Sequence, residues 1–462
     1  LIEAVAARLD ARLERDVEHP VVVGLSGGGD SLALLILVCA WARTAGRRVV
    51  TVTVDHGLNA DSPGWSAFCR AAAERHGADW IERRWIGEKP SAGLPAAARQ
   101  ARHALLAEAA LSVGARVILL GHTADHRVEA DWMRARGATL GDVREWGPSP
   151  VWPEGRGMAL FRPLLEARRA ELREYLGRRG ETWIEDPANE DGRFQRSRAR
   201  AVLTPLPAGE GLSPRLNRGA SDAYSRKGEG QTVGTGAIVA HTSRLPLTLS
   251  HKADRSALGR SSPLPLGEGF EIGRSASVSV LAVTLLCASG TTTPPRGDRL
   301  ARLADRLRSG ESLAATLCGA RVTADDNRIV ICREAGRGEH PRLPLEAGAP
   351  AVWDGRYEIT AHAPGWTVTA VAGLQARLPA EDRRILASVA PFARPTLPVL
   401  IRYGGSGARL SWREATVRAL GPRRLSLTLG ETTHERDLER PVHGETPPTD
   451  LFSEATGFTT AG

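Results

Sequence analysis

The sequence predicts an α/β protein whose first part, residues 1–203, is a doubly wound parallel sheet. Two observations carry this expectation. Short β-branched runs alternate with helix-length apolar patterns throughout that stretch, as they do where helices cover a parallel sheet. In addition, Ser26-Gly27-Gly28-Gly29-Asp30-Ser31 stands between the first such run, Val21–Leu25, and the helical pattern Ser31–Arg43, at a strand-to-helix junction.

The elements follow in order. Val49–Asp55, "VVTVTVD", reads as a buried strand, Pro63–His76 as a helix and Asp79–Ile86 as a strand. Pro95–Val113 is a helix that opens on proline, where a missing N–H costs nothing. Arg116–Gly121 is another strand and Ala124–Arg136 another helix. The remainder of the chain divides by composition. Residues 204–276 are rich in Gly, Pro, Ser and Arg and bracketed by two related motifs, "TPLPAGEG" and "SPLPLGEG", so an inserted, disordered segment is expected there. Residues 277–340 form a middle region with an amphipathic basic helix at 296–310 and short strands in "ARVTADDNRIVICRE". Residues 341–442 carry strand signals such as "RLSLTLG", with Trp353 and Trp366, and read as a small α+β domain; 443–462 is a tail.

A length of 462 residues fits two or three domains. The net charge of +8, almost all of it from Arg because lysine occurs only at 89, 227 and 252, favours an anionic partner such as a nucleic acid. The five cysteines show no metal-like spacing and are expected to be reduced thiols. Apolar stretches at 31–42 and 278–288 fall short of the ~20 residues that cross a bilayer, so no membrane span and a cytoplasmic location are expected. The chain begins with Leu rather than Met, which leaves open either a few missing residues or a different start.

The glycines have a physical reading. A strand that turns directly into a helix brings backbone N–H groups and the positive end of the helix together, which makes an anion site. Glycine lets the main chain approach a phosphate closely; Ser26 and Ser31 add hydroxyls, and Asp30 can hold a Mg²⁺ riding on the phosphates. No lysine follows the glycines, so this is not a Walker loop.

With the strand before it, S-G-G-x-D-S resembles the pyrophosphate loop of N-type ATP pyrophosphatases, whose fold is adenine nucleotide alpha hydrolase-like. "VDHGLNADS" (54–62), "AARQARHALL" (97–106), "GHTADHRVEADWMR" (121–134), "RPLLEARRAEL" (162–172) and "EDPANEDGRFQRSRAR" (185–200) resemble, in that order, the motifs of the tRNA(Ile)-lysidine synthetase family. The resemblance covers residues 1–203 closely and the stretch from about 285 to the C-terminus more loosely. It implies adenylation of the wobble cytidine of a tRNA(Ile) with a CAU anticodon, followed by displacement of AMP by the amine of free L-lysine. It further implies that Ser26, Gly27, Gly28, Gly29, Asp30 and Ser31 bind ATP and Mg²⁺, with Asp55 and His56 near the adenosine. Arg99 and Arg102 would face phosphate or tRNA, with His103 standing where the family has Tyr. Asp125 and Glu129, four residues apart on one helix face, would surround Mg²⁺ and the lysine ammonium. Arg162 and Asp186 would close the catalytic domain beside the substrates, Arg196, Arg198 and Arg200 would contact tRNA, and the C-terminal domain would grip it. One departure stands out: His126 replaces the second Asp of the family's H-x-x-D-D-x-x-E, so weakened lysine binding is expected. The alternatives are another ATP pyrophosphatase acting on tRNA and a catalytically impaired tRNA-binding relative.

Overall fold

A computed structural model describes residues 1–137, 143–185, 195–203, 261–264, 268–326, 328–336, 340–402 and 407–445. The chain opens with helix α1 (Ile2–Asp10) and then alternates β1 (Val21–Gly24), α2 (Gly29–Thr44), β2 (Val49–Asp55), α3 (Ser62–His76), β3 (Asp79–Arg84), α4 (Leu94–Ser112), β4 (Val117–Leu119) and α5 (Ala124–Arg134). Strands β5 (Trp146–Pro148) and β6 (Ala159–Phe161) and helices α6 (Arg169–Arg178) and α7 (Gln195–Leu203) complete the first domain.

The six strands order as β3-β2-β1-β4-β6-β5. All neighbours run parallel except β5, which pairs antiparallel with β6 at the edge. Chain order reverses between β1 and β4, and a ligand crevice forms outside the carboxyl ends of strands at such a switch point. Helix α2 is apolar on every side and buried along most of its length, so the loop before it is anchored to the centre of the molecule.

Beyond the first domain, β7 (Ser261–Pro263) and β8 (Gly269–Ile272) join β9 (Leu313–Leu317), β10 (Ala320–Ala324) and β11 (Ile329–Arg333) in an antiparallel sheet, order β7-β8-β11-β10-β9. It packs on α8 (Val278–Ser289), with α9 (Gly297–Arg308) alongside. The expectation of disorder to residue 276 is therefore corrected at its end: Phe270 and Ile272 are buried in the core of this sheet. The rest of that segment, 204–260 and 265–267, lies outside the described residues.

The C-terminal domain holds β12 (Leu343–Pro344), β13 (Ala351–Trp353), β14 (Tyr357–Ala361), β15 (Trp366–Ala370), α10 (Ala380–Ser388), β16 (Pro398–Arg402), β17 (Ala408–Leu410), α11 (Ser411–Glu414), β18 (Ala415–Ala419) and α12 (Leu420–Leu429). A second correction falls here. "RLSLTLG", read as a strand because its apolar residues alternate, is part of α12. Residues two apart lie on nearly opposite sides of a helix of ~3.6 residues per turn. Leu425 accordingly enters the core under the five-stranded sheet, while Leu427 enters the core of the first domain. Two cores, rather than one sheet face, explain the alternation.

Candidate active site

The phosphate loop is braced by its own hydrogen bonds. Ser31 Oγ donates to Gly28 O at 2.9 Å and accepts from Ser26 N–H at 3.2 Å, with Ser26 Oγ 3.1 Å away. Gly27 has φ +80°, a conformation that favours glycine, and a Cβ there would meet the side chain of Ile184. The segment after α6 folds over this loop: Ile184 N–H donates to Gly27 O at 3.0 Å. At Gly121, at the end of β4, a Cβ would sit 2.9 Å from Asp30 O, so only glycine lets α2 approach that closely.

A cleft of about 1160 Å³ opens at the switch point. Ser26, Gly28, Gly29, Asp30, Ser31, Asp55, His56, Arg102, Asp125, Glu129 and Arg200 all line it. Asp30, in the first turn of α2, has its carboxyl pushed above the ordinary range by burial, against the pull of Arg169, whose Nε is 3.4 Å from Oδ2. At the tip of β2, burial alone would raise Asp55. The Gly57 N–H at 2.8 Å, the Ser62 hydroxyl and Arg84 Nε at 2.9 Å together hold it below its ordinary value. His56 stands edge-on to Trp85 with its pKa lowered by burial and by Arg102, hence neutral at pH 7.

Helix α5 presents the acidic wall. Glu129 is buried, and its Oε1 accepts from Arg169 Nη2 at 3.1 Å and Arg200 Nε at 2.9 Å. Asp125 accepts the backbone N–H of Arg169 at 2.8 Å on Oδ2 and faces Arg168 Nη2 at 3.2 Å on Oδ1, so it caps the N-terminus of α6. His122 is buried with its pKa well below the ordinary value, through burial first and then Arg162 and His126.

His126 also has a structural role. Its Nδ1 accepts the Thr123 backbone N–H at 3.1 Å and lies 2.9 Å from Thr123 Oγ1, so it closes a capping box at the start of α5. An Asp at that position would serve the cap equally; what His removes is a charge on the cleft wall. Arg99, Arg162 and Arg198 do not line the cleft. Arg99 and Arg198 are exposed, and Arg162 Nη1 donates to Arg144 O at 2.8 Å, bracing the connection to β6. Asp186 and the side chain of Arg196 lie outside the described residues. Reading the motifs missed Arg168, Arg169 and Arg173, which line the cleft from α6; the signal was the Arg-Arg pair directly ahead of an amphipathic helix.

Residues 1–206 match the PP-loop domain family. The tRNA(Ile)-lysidine synthase of Caulobacter vibrioides is 44% identical over 444 residues, covering 93% of this chain and 98% of that protein. The chain belongs to the tRNA(Ile)-lysidine synthase family. A second member, from Hyphomonas neptunium, is 36% identical over 357 residues, 75% of this chain and 89% of its own. A solved U34-tRNA thiolase of Methanococcus maripaludis is similar over 43% of this chain and 71% of its own, at 16% identity and a TM-score of 0.37. As a lysidine synthase family member the chain carries an ATP-binding PP-loop domain. Among the described residues no helix is long and apolar enough to cross a membrane.

Proposed function

We infer that this chain forms lysidine, activating the wobble cytidine of tRNA(Ile) with ATP and joining lysine to it. One observation carries the reading: a relative of that name is matched across 98% of its length. The cleft supports it, since phosphate loop and acidic wall open on one space.

In the first step the cytidine O2 attacks the α-phosphorus of ATP and the bond to the pyrophosphate oxygen breaks. In the second the lysine ε-ammonium releases a proton to solvent, the resulting amine nitrogen attacks C2 of the base, and the C2–O bond breaks to release AMP. The backbone of Gly27, Gly28 and Gly29, the N-terminus of α2 and the hydroxyls of Ser26 and Ser31 cradle the phosphates. Asp55 and His56 lie toward the adenosine, and Arg102 offers charge to the phosphates. Asp30, an oxygen donor on the cleft wall, fits Mg²⁺, which would neutralise phosphate charge. Asp125 fits it less well, because one oxygen is already taken by the Arg169 N–H. Glu129 receives the ε-ammonium of free lysine, beside a neutral His122 that adds no opposing charge. The exposed Arg99 and Arg198, with the C-terminal domain, hold the tRNA.

The test is release of pyrophosphate from ATP with a tRNA(Ile) transcript carrying CAU, with and without lysine, followed by mass analysis of the nucleoside. Lysidine is the expected product; pyrophosphate without lysidine points to the impaired relative, and neither product removes the reading.

A further inference from the structure

Arg169, the first residue of α6, reaches three acidic groups at once. Its backbone N–H donates to Asp125, its Nε lies 3.4 Å from Asp30 Oδ2, and its Nη2 lies 3.1 Å from Glu129 Oε1. Asp30 belongs to the phosphate loop and Glu129 to the acidic wall, so one largely buried guanidinium spans the two halves of the cleft. Arg200 Nε meets the same Glu129 oxygen at 2.9 Å, so one carboxylate faces two guanidinium groups.

We propose that Arg169 is a positioning residue that makes lysine binding depend on the nucleotide: ATP phosphate draws its guanidinium off Glu129, and the freed carboxylate oxygen then takes the ε-ammonium. The proposal rests on the assignment of Glu129 to the amine. A guanidinium fork is matched in charge and shape to phosphate oxygens, and Arg169 already sits within reach of the residue that follows Gly29. Two guanidinium groups and an ammonium compete for one buried carboxylate, so removing one cation favours the next. Such differential affinity is a coupling free energy, felt equally in both directions. Its consequence for the reaction is order, since the nucleophile is admitted once the activating nucleotide is in place.

Equilibrium dialysis of radiolabelled lysine against the full chain, with and without α,β-methylene ATP, reads this without turnover. The wild-type protein is expected to bind lysine roughly fivefold or more tightly with the analogue present. Arg169→Met should bind lysine more tightly than wild type in the absence of the analogue and respond little to its addition. Arg169→Lys, which keeps a cation without the fork, should respond to an intermediate degree, and it carries the test if the Met variant does not fold. A wild-type lysine affinity indifferent to bound analogue overturns the inference alone. So does a Met variant that loses lysine affinity equally under both conditions, because that is the mark of a merely structural residue. Failure of the analogue to bind the wild-type protein overturns the ATP reading and this inference with it.

Discussion

Arg47 and Glu435, 388 residues apart in the chain, form a bidentate ion pair with both side chains closed to solvent, Nη1–Oε2 at 2.8 Å and Nη2–Oε1 at 2.9 Å. Arg47 follows α2, whose first turn carries the phosphate loop, and Glu435 lies in the short 3₁₀ helix Glu435–Leu438 after α12. Glu435 also accepts the Glu14 N–H at 2.9 Å and contacts His19 Nε2 at 3.1 Å, so one carboxylate ties the C-terminal domain to two segments of the first.

Removing that carboxylate alone leaves a buried, uncompensated guanidinium. Glu435→Ala should cost about 3–5 kcal/mol, read as a lowered urea midpoint, whereas Arg47→Met with Glu435→Leu should recover most of it. Equal losses in the single and double variants would show that the pair's charge is not what the site requires.

Burial makes the charged form of Asp30 costly. Burial raises its folded-state pKa above the unfolded value, so between the two values the folded state binds more protons, and stability from this group falls as pH rises through that window. Above that window the charged carboxylate opposes folding. Asp30→Asn should raise the thermal midpoint and lower pyrophosphate release by roughly 100-fold or more. A variant both less stable and fully active would contradict both halves.

Much of this site was legible in the sequence, and the gaps have physical causes. The strand-glycine-helix junction and the i, i+4 carboxylates of α5 are local patterns, and local geometry fixes where they lie. The Arg168-Arg169 pair is visible in the sequence, but the role of Arg169 is not, because its partners lie 139 and 40 residues away and no spacing rule joins them. Leu425 and Leu427 misled for the opposite reason: a clear alternation served two cores instead of one sheet.

His103 supplies an acid-sensitive weakness. It is 2% exposed, both ring nitrogens are without a partner, and burial, followed by Arg102, Arg99 and Arg162, takes its pKa down to about 2. The unfolded chain binds a proton near pH ~6.5, so the stability this neutral ring permits is present above that pH and is lost as pH falls, by ~1.4 kcal/mol per unit. His103→Phe should match or exceed the wild type at pH 7.5 in urea unfolding, and its advantage should widen steadily from pH 6.5 to 5. A constant gap across that range would mean the ring is solvated.

The departure at residue 126 can be divided into a capping part and a charge part. His126 Nδ1 accepts the Thr123 N–H, which fixes the first turn of α5 and with it Asp125 and, one turn on, Glu129. His126→Ala removes the cap, costing about 1 kcal/mol in the helix and loosening Glu129, so the lysine KM should rise. His126→Asn keeps an acceptor for the same N–H without adding charge and should resemble the wild type. His126→Asp keeps the cap, suits the positive end of the helix and adds a negative charge to the wall of the cleft. One further charged partner for the ammonium should lower the lysine KM by roughly tenfold or more, with the ATP KM nearly unchanged. Steady-state kinetics of the three variants at saturating tRNA separate the contributions. If Asn and Asp behave alike, charge at this position does not reach the amine; if Ala matches the wild type, the cap does not position Glu129.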